Sequence, residues 1–219
     1  LYYLNKPNQG LPFVLKSLKQ NSSDYIALNT LGLIYMEMKK FNDAEKIFKK
    51  AIEIKTDYAP SYNNLGRCVS LQNDRDQGLI YYKKALEVNS NFIEAINNVA
   101  NYYSETGSYE KGIQYYNRAL KLDPSRPEII YNIGVAYVYL QQFSKAEKYY
   151  KKAFKLNPHD SLLKENYAIL LLASQRYEEA WKLIDGRLKL EKFKVKNSYF
   201  HNTRDKLWQG DKINKNNKI

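Results

Sequence analysis

The chain repeats itself every 34 residues, and this period constrains its fold more than any other feature. Small residues recur in three columns, at Gly10, Ala44, Gly78, Gly112, Ala146 and Ala180, at Gly32, Gly66, Ala100, Gly134 and Ala168, and at Ala51, Ala85, Ala119 and Ala153. An aromatic column runs beside them, at Phe48, Tyr82, Tyr116 and Tyr150. No insertion or deletion interrupts the frames, so the pattern indicates stacked units that each pack only on their neighbours.

The order of small, aromatic and proline positions, with Pro124 and Pro158 closing two of the units, resembles the tetratricopeptide repeat (TPR) family. The resemblance covers about residues 1–190. It implies an all-α fold, a TPR solenoid that forms a right-handed superhelix of antiparallel helix pairs. It also implies that the chain is a protein–protein interaction module, with a protein or peptide ligand on its concave face.

This frame divides the chain into a partial repeat at 1–24, four full repeats at 25–58, 59–92, 93–126 and 127–160, and a divergent terminal unit at 161–192. In the first full repeat we expect helix A at about 25–38 and helix B at about 42–55, capped by Asn42–Glu45. In the partial repeat we expect a helix over 11–19 with Pro12 in its first turn. The glycines inside these helices each cost roughly 1 kcal/mol relative to alanine, so we interpret them as points of close helix approach.

The end of the chain departs from the period. Arg187 stands where the earlier repeats hold Ala51, Ala85, Ala119 and Ala153, so regular stacking should end in the terminal unit. Residues 193–219 have no period and read as an irregular connector to a domain that is missing from this chain. Leu1 falls in the middle of a helix frame, so we also expect the N-terminus to be trimmed.

A second resemblance involves this end of the array. The segment from Tyr177 through Trp181 to Arg187, followed by Trp208-Gln209-Gly210, is similar to bacterial proteins in which a TPR array precedes a glycosyltransferase-like domain. Ile184 replaces the tyrosine of that motif. The resemblance implies a downstream glycosyltransferase domain, whereas the alternatives are that Trp181 and Trp208 only cover the end of the solenoid, or that the chain is a free-standing scaffold.

The net charge of +12 is concentrated at the C-terminus, since residues 182–219 hold eleven basic and four acidic residues. This segment is either a solvated, lysine-rich surface or an anion-binding tail for nucleic acid or membrane lipids; we disfavour nucleic acid as the partner. The single cysteine, Cys68, excludes an internal disulfide, and no apolar run approaches the length of about 18 residues that spans a bilayer. We therefore expect a cytoplasmic protein. The N-terminal half-repeat has no preceding repeat to cover its apolar surface, so the chain could self-associate.

The sequence offers no catalytic chemistry. His159 and His201 have no cysteine or carboxylate at metal-ligand spacing, and the glycines occupy repeat positions rather than a phosphate-binding loop. We interpret Cys68 as a buried, inert thiol. No catalytic residue, metal site or cofactor is predicted, and the chain itself is not expected to be an enzyme.

Asparagines on helix A form the candidate binding site. One column holds Asn64, Asn98, Asn132 and Asn166, and the preceding column holds Asn29, Asn63 and Asn97. An amide offers a donor and an acceptor together, which matches one backbone amide of an extended peptide. This resembles the asparagine ladder in the TPR superhelix of O-linked N-acetylglucosamine transferases, and Asn101, Arg67 and Tyr131 could add side-chain selectivity. The alternative is that the amides only bridge neighbouring helices. A bound peptide is expected to be centred near Asn132.

Overall fold

The computed structural model describes residues 7–184, and these residues form eleven helices and no strand. The helices are α1 Pro7–Gln20, α2 Tyr25–Glu37, α3 Phe41–Ile54, α4 Ala59–Leu71, α5 Arg75–Val88, α6 Ile93–Glu105, α7 Tyr109–Leu122, α8 Pro127–Tyr139, α9 Phe143–Leu156, α10 Ser161–Ala173 and α11 Tyr177–Ile184. The expected connector at 193–219, Arg187 and most of the basic segment lie outside the described residues.

The helices pack as successive pairs. Each even-numbered helix from α2 to α10 makes its closest packing with the helix that follows it, and the pairs then stack on one another in chain order. Helices α2 and α3 lie within one residue of the boundaries expected from the period. The chain is thus an all-α solenoid of helix pairs, as the sequence pattern predicts.

Two details of the predicted helices are wrong. Helix α1 begins at Pro7, four residues earlier than expected, so Pro12 lies inside the helix rather than in its first turn. Proline suits the first helical position because its fixed φ is already helical. Helix α3 is not capped by Asn42–Glu45: it begins at Phe41, and Lys40 at the N-cap makes no side-chain hydrogen bond.

The turn before each helix B has the same backbone geometry throughout the array. One residue in each of these turns has a left-handed backbone, with φ between 57° and 82°, and these residues recur every 34 positions: Lys39, Asn73, Gly107, Gln141 and Gln175. After each of them a backbone N–H donates back to the end of helix A, as from Lys40 to the Tyr35 carbonyl at 2.8 Å. Backbone hydrogen bonds of this kind satisfy the last carbonyls of helix A and fix the turn.

The small residues mark close helix contacts, as expected from the period. A Cβ atom added at Gly66 would lie 2.9 Å from the Gly78 carbonyl oxygen and 2.7 Å from the ring of Tyr82. The same addition at Gly32 or Gly134 would meet the ring of Phe48 or Tyr150 at 2.5–2.6 Å. The alanines of helix B, including Ala85 and Ala119, are fully buried. In the part of the chain that the structure describes, the buried apolar side chains form four clusters that follow one another along the array.

Candidate functional site

A groove of about 300 Å³ lies across helices α4, α6 and the start of α8. Its walls are formed by Pro60, Asn63, Asn64, Arg67, Phe92, Ile93, Glu94, Asn97, Asn98, Arg126, Glu128 and Ile129. All of these residues belong to helix A of three successive repeats or to the joints that precede those helices. The 34-residue period therefore places equivalent faces of three helices around one cavity.

Five of the nine predicted site residues meet in this groove: Asn63, Asn64, Arg67, Asn97 and Asn98. Asn101, Tyr131, Asn132 and Asn166 are not among the residues that line it. The groove also lies one repeat earlier than the predicted centre at Asn132. The polar columns were located by their spacing, but the spacing did not indicate where along the solenoid a groove would form.

The asparagines of α2, α4 and α6 are linked by hydrogen bonds. The Asn64 Nδ2 donates to Asn29 Oδ1 at 3.1 Å, and the Asn98 Nδ2 donates to Asn63 Oδ1 at 2.8 Å. Both bonds span 35 residues, so each joins helix A of one repeat to helix A of the next. Asn29, Asn63 and Asn64 are buried, at 4–8% exposure. We call this series of side-chain bonds the amide ladder.

The amide ladder is interrupted at α8. The same 35-residue spacing would pair Asn132 with Asn97, but the Asn132 Nδ2 donates to Asn101 Oδ1 at 3.3 Å. Asn101 Oδ1 also accepts the hydroxyl of Tyr116 at 2.6 Å. Burial raises the pKa of Tyr116 to about 12, so this hydroxyl remains a donor at neutral pH. Asn97 Oδ1 is buried and has no hydrogen-bond partner among residues 7–184.

A side-chain hydrogen bond across 35 residues occurs again between α8 and α10, where the acceptor is a tyrosine hydroxyl. The Asn166 Nδ2 donates to the hydroxyl of Tyr131 at 2.9 Å and to the Leu162 carbonyl at 2.9 Å. The Tyr131 ring stacks on Tyr150 with centroids 5.7 Å apart. Asn166 and Tyr131 thus link α10 to α8 in the way that the asparagine pairs link the earlier helices.

Arg126 is a groove residue that the sequence reasoning missed. It lies in the joint before α8 and contacts three carboxylates, those of Asp123 at 2.8 Å, Glu94 at 3.5 Å and Glu128 at 3.7 Å. Its hydrogen bond to Asp123 lowers the pKa of that carboxyl. The sequence contains a signal for this ion-pair cluster, because Glu94 and Glu128 are 34 residues apart and one cation between their helices can contact both.

Arg67 differs from Arg126 in its surroundings. It is exposed on α4, one turn beyond Asn63 and Asn64, and it makes no ion pair with any residue that the structure describes. Since Arg126 is paired with the two carboxylates of the groove, Arg67 is its one lining cation without a carboxylate partner in that part of the chain.

Comparison with family models identifies the repeat. Models described as tetratricopeptide repeat match residues 24–91 and 127–160, and a model described as TPR repeat matches residues 100–141. Together the matched ranges cover more than half of the chain. This chain belongs to the tetratricopeptide repeat family. No curated protein sequence gives a significant match to it.

Solved structures resemble the TPR array along most of its length. The structure of PilF from Pseudomonas aeruginosa is 23% identical and has a TM-score of 0.69, covering 74% of this chain and 75% of its own. A structure of MamA is 26% identical over 66% of this chain and 85% of its own, with a TM-score of 0.58. YrrB, described as a TPR protein with an unusual peptide-binding site, is 24% identical, with a TM-score of 0.58. The match covers 80% of this chain and 87% of the YrrB chain. The PilF and YrrB likenesses show the shared fold. Its membership of the TPR family makes the array a scaffold of the protein-interaction type.

The TPR array carries no recognisable catalytic group in its described part. Cys68 is buried on α4, and burial raises the pKa of its thiol to about 11, so the thiol stays protonated at neutral pH. No cluster of metal-ligating side chains occurs in residues 7–184, and no helix there has the length and apolar content to cross a membrane. His159 is exposed, and His201 lies outside the described residues.

Proposed function

We propose that the TPR array binds an extended peptide segment of a partner protein in the groove formed by α4, α6 and α8, on the concave face of the solenoid. The observation that carries the proposal is the convergence of Asn63, Asn64, Asn97, Asn98 and two arginines around one cavity of about 300 Å³. A cavity of this volume is at the lower end of ligand pockets. It suits a few residues of extended chain with its ends open to solvent.

The amide ladder and peptide binding are compatible. An asparagine side chain has two N–H donors and an oxygen with two lone pairs, so one bridging bond leaves hydrogen-bonding capacity unused. Asn98 donates one bond to Asn63 and is only half-buried, so its second N–H is available to a peptide carbonyl. Asn63 and Asn64 are almost fully buried, and we propose that they act mainly by fixing the position of Asn98.

The proposal is tested with a random peptide library displayed on phage and selected on the immobilised chain. Enriched peptides are resynthesised with a benzophenone group, photo-crosslinked to the protein and mapped by mass spectrometry. We expect crosslinks within 60–67 and 93–98. Crosslinks confined to the exposed faces of α5 and α7, or no enrichment of any peptide, would contradict the proposal.

We also propose, on sequence grounds alone, that the array precedes a glycosyltransferase-like domain, for which it would select protein substrates. The support is the motif from Tyr177 to Arg187 with Trp208-Gln209-Gly210. In its described part, α11 starts at Tyr177 and packs Ala180 into the core of the last helix pair. Reading the coding sequence beyond Ile219 tests this: a domain with a sugar-nucleotide site is expected, and a stop codon would contradict it.

A further inference from the structure

Arg67 is an exposed cation in the lining of the groove. It follows Asn63 by four residues on α4, so the two side chains lie on the same face of the helix, and both line the groove. The side chain of Arg67 is exposed, and no carboxylate of residues 7–184 pairs with it. The guanidinium therefore has no carboxylate to release before it pairs with a ligand.

The other charged residues of the groove contact one another. Arg126 contacts both Glu94 and Glu128, the two carboxylates that line the cavity, and also Asp123 just outside it. A ligand carboxylate can pair with Arg67 without displacing any of these contacts, whereas Glu94 and Glu128 already contact a cation at 3.5 and 3.7 Å. Arg67 is thus the lining cation with which an acidic group of the ligand can pair.

The geometry points to a peptide with an acidic side chain: we infer that the groove selects an extended peptide that carries aspartate or glutamate opposite Arg67. This inference rests on the proposed function and specifies its ligand. A planar guanidinium donates two parallel hydrogen bonds to a carboxylate, which fixes direction as well as charge. Arg67 would set the register of the peptide, while the amide of Asn98 holds its main chain.

Sequencing the selected peptide pools tests the inference. The library is selected in parallel on the wild-type chain, on Arg67→Gln and on Arg75→Gln. Arg75 is the matched control, because it is exposed and pairs with Glu105 at 3.4 Å outside the residues that line the groove. We expect aspartate and glutamate to be enriched at one peptide position with the wild type and the control, and this enrichment to be lost with Arg67→Gln. Circular dichroism verifies that both variants are folded.

A second measurement does not depend on any protein variant. One enriched peptide is synthesised with its selected carboxylate and again with the corresponding amide. We expect the amide form to bind the wild-type chain about tenfold more weakly, since a hydrogen bond to a charged group is lost. Equal affinities, pools without acidic enrichment, or acidic enrichment that persists with Arg67→Gln would overturn the inference. If groove crosslinks are found in those cases, the proposed function stands and only the acidic preference falls. If no peptide is enriched, or if crosslinks lie outside the groove, both fall.

Discussion

At the level of single side chains, the amide of Asn98 carries a bond that its neighbour Asn97 lacks. Asn98 donates to Asn63 Oδ1, so Asn98→Ala would leave a buried acceptor without a donor and should cost about 1–3 kcal/mol of unfolding free energy. Asn97→Ala removes an acceptor that already has no partner within the described residues and should cost less. Urea unfolding of the two variants measures the difference. Equal losses would contradict the amide ladder.

The asparagine columns could be found from the sequence, but their bonds could not be read from the period alone. Residues 34 apart occupy equivalent positions, whereas the bonds join residues 35 apart, such as Asn63 with Asn98. The adjacent pairs Asn63-Asn64 and Asn97-Asn98 contain this offset, which is the sequence signal for bridging between repeats. Whether Asn98 also binds a peptide stays a prediction, because it depends on a ligand.

At the level of helices, the crossing of α4 over α5 depends on two glycines. A methyl group at Gly66 would approach the backbone oxygen of Gly78 to 2.9 Å, and a backbone atom cannot rotate away. Gly66→Ala should therefore destabilise the chain by about 1–3 kcal/mol through overpacking. The gain of roughly 1 kcal/mol that alanine has over glycine in helix propensity offsets part of this loss. We expect a net destabilisation, because the added methyl group meets a backbone atom.

Thermal unfolding measures the effect of Gly66→Ala. Gln114→Ala is the matched control, because Gln114 is exposed on α7 and its change to alanine should stay within about 0.5 kcal/mol. An unchanged or raised melting temperature for Gly66→Ala would show that the two helices are not packed as closely as described.

An ion-pair network fixes the last helix pair to α9. Arg176, immediately before α11, contacts Glu147 at 2.6 Å and Glu179 at 2.5 Å, and Lys151 contacts Glu147 at 2.8 Å. Burial raises the pKa of Glu147, but its hydrogen bonds with Lys151 and Arg176 outweigh burial and hold the pKa below the ordinary value of 4.5. The stability that this carboxylate contributes is therefore present above pH 4.5 and is lost as the pH falls through its lower folded value.

Replacing Glu147 tests this coupling. Glu147→Gln should lower the melting temperature at pH 7 and should make it less dependent on pH in the range just below 4.5. Glu53→Gln, a change of an exposed carboxylate on α3, is the control and should follow the wild-type pH profile. Parallel pH profiles for Glu147→Gln and the wild type would contradict a stabilising role for the network.

Helix boundaries were largely predictable because the period fixes them, but the turn geometry was not. The left-handed residues recur every 34 positions, and only Gly107 among them is a glycine. Lys39, Gln141 and Gln175 gave no sequence signal, since non-glycine residues rarely adopt this conformation. Their conformation is fixed by backbone hydrogen bonds in which the following N–H donates to a carbonyl at the end of helix A. These bonds do not depend on the side chain of the turn residue.

At the level of the whole molecule, the period predicts the solenoid but not the position of its groove. A cavity forms where the side chains of three successive helices leave space, and this depends on residues that differ between repeats. Around α8 and α10 the hydroxyl of Tyr131 is bonded to Asn166, and its ring is stacked on Tyr150, whereas the equivalent positions on α4 and α6 carry asparagines. Such differences between repeats are invisible to the period.

Side-chain amide NMR is the most direct test of the claim that this groove holds a peptide. A library-selected peptide is titrated into the ¹⁵N-labelled chain, and the NH₂ signals of the asparagines are followed. We expect the signals of Asn97 and Asn98 to shift in a saturable manner, while those of Asn42 and Asn91, exposed residues that do not line the groove, stay unchanged. Shifts confined to Asn42 and Asn91, with none at Asn97 or Asn98, would contradict the account.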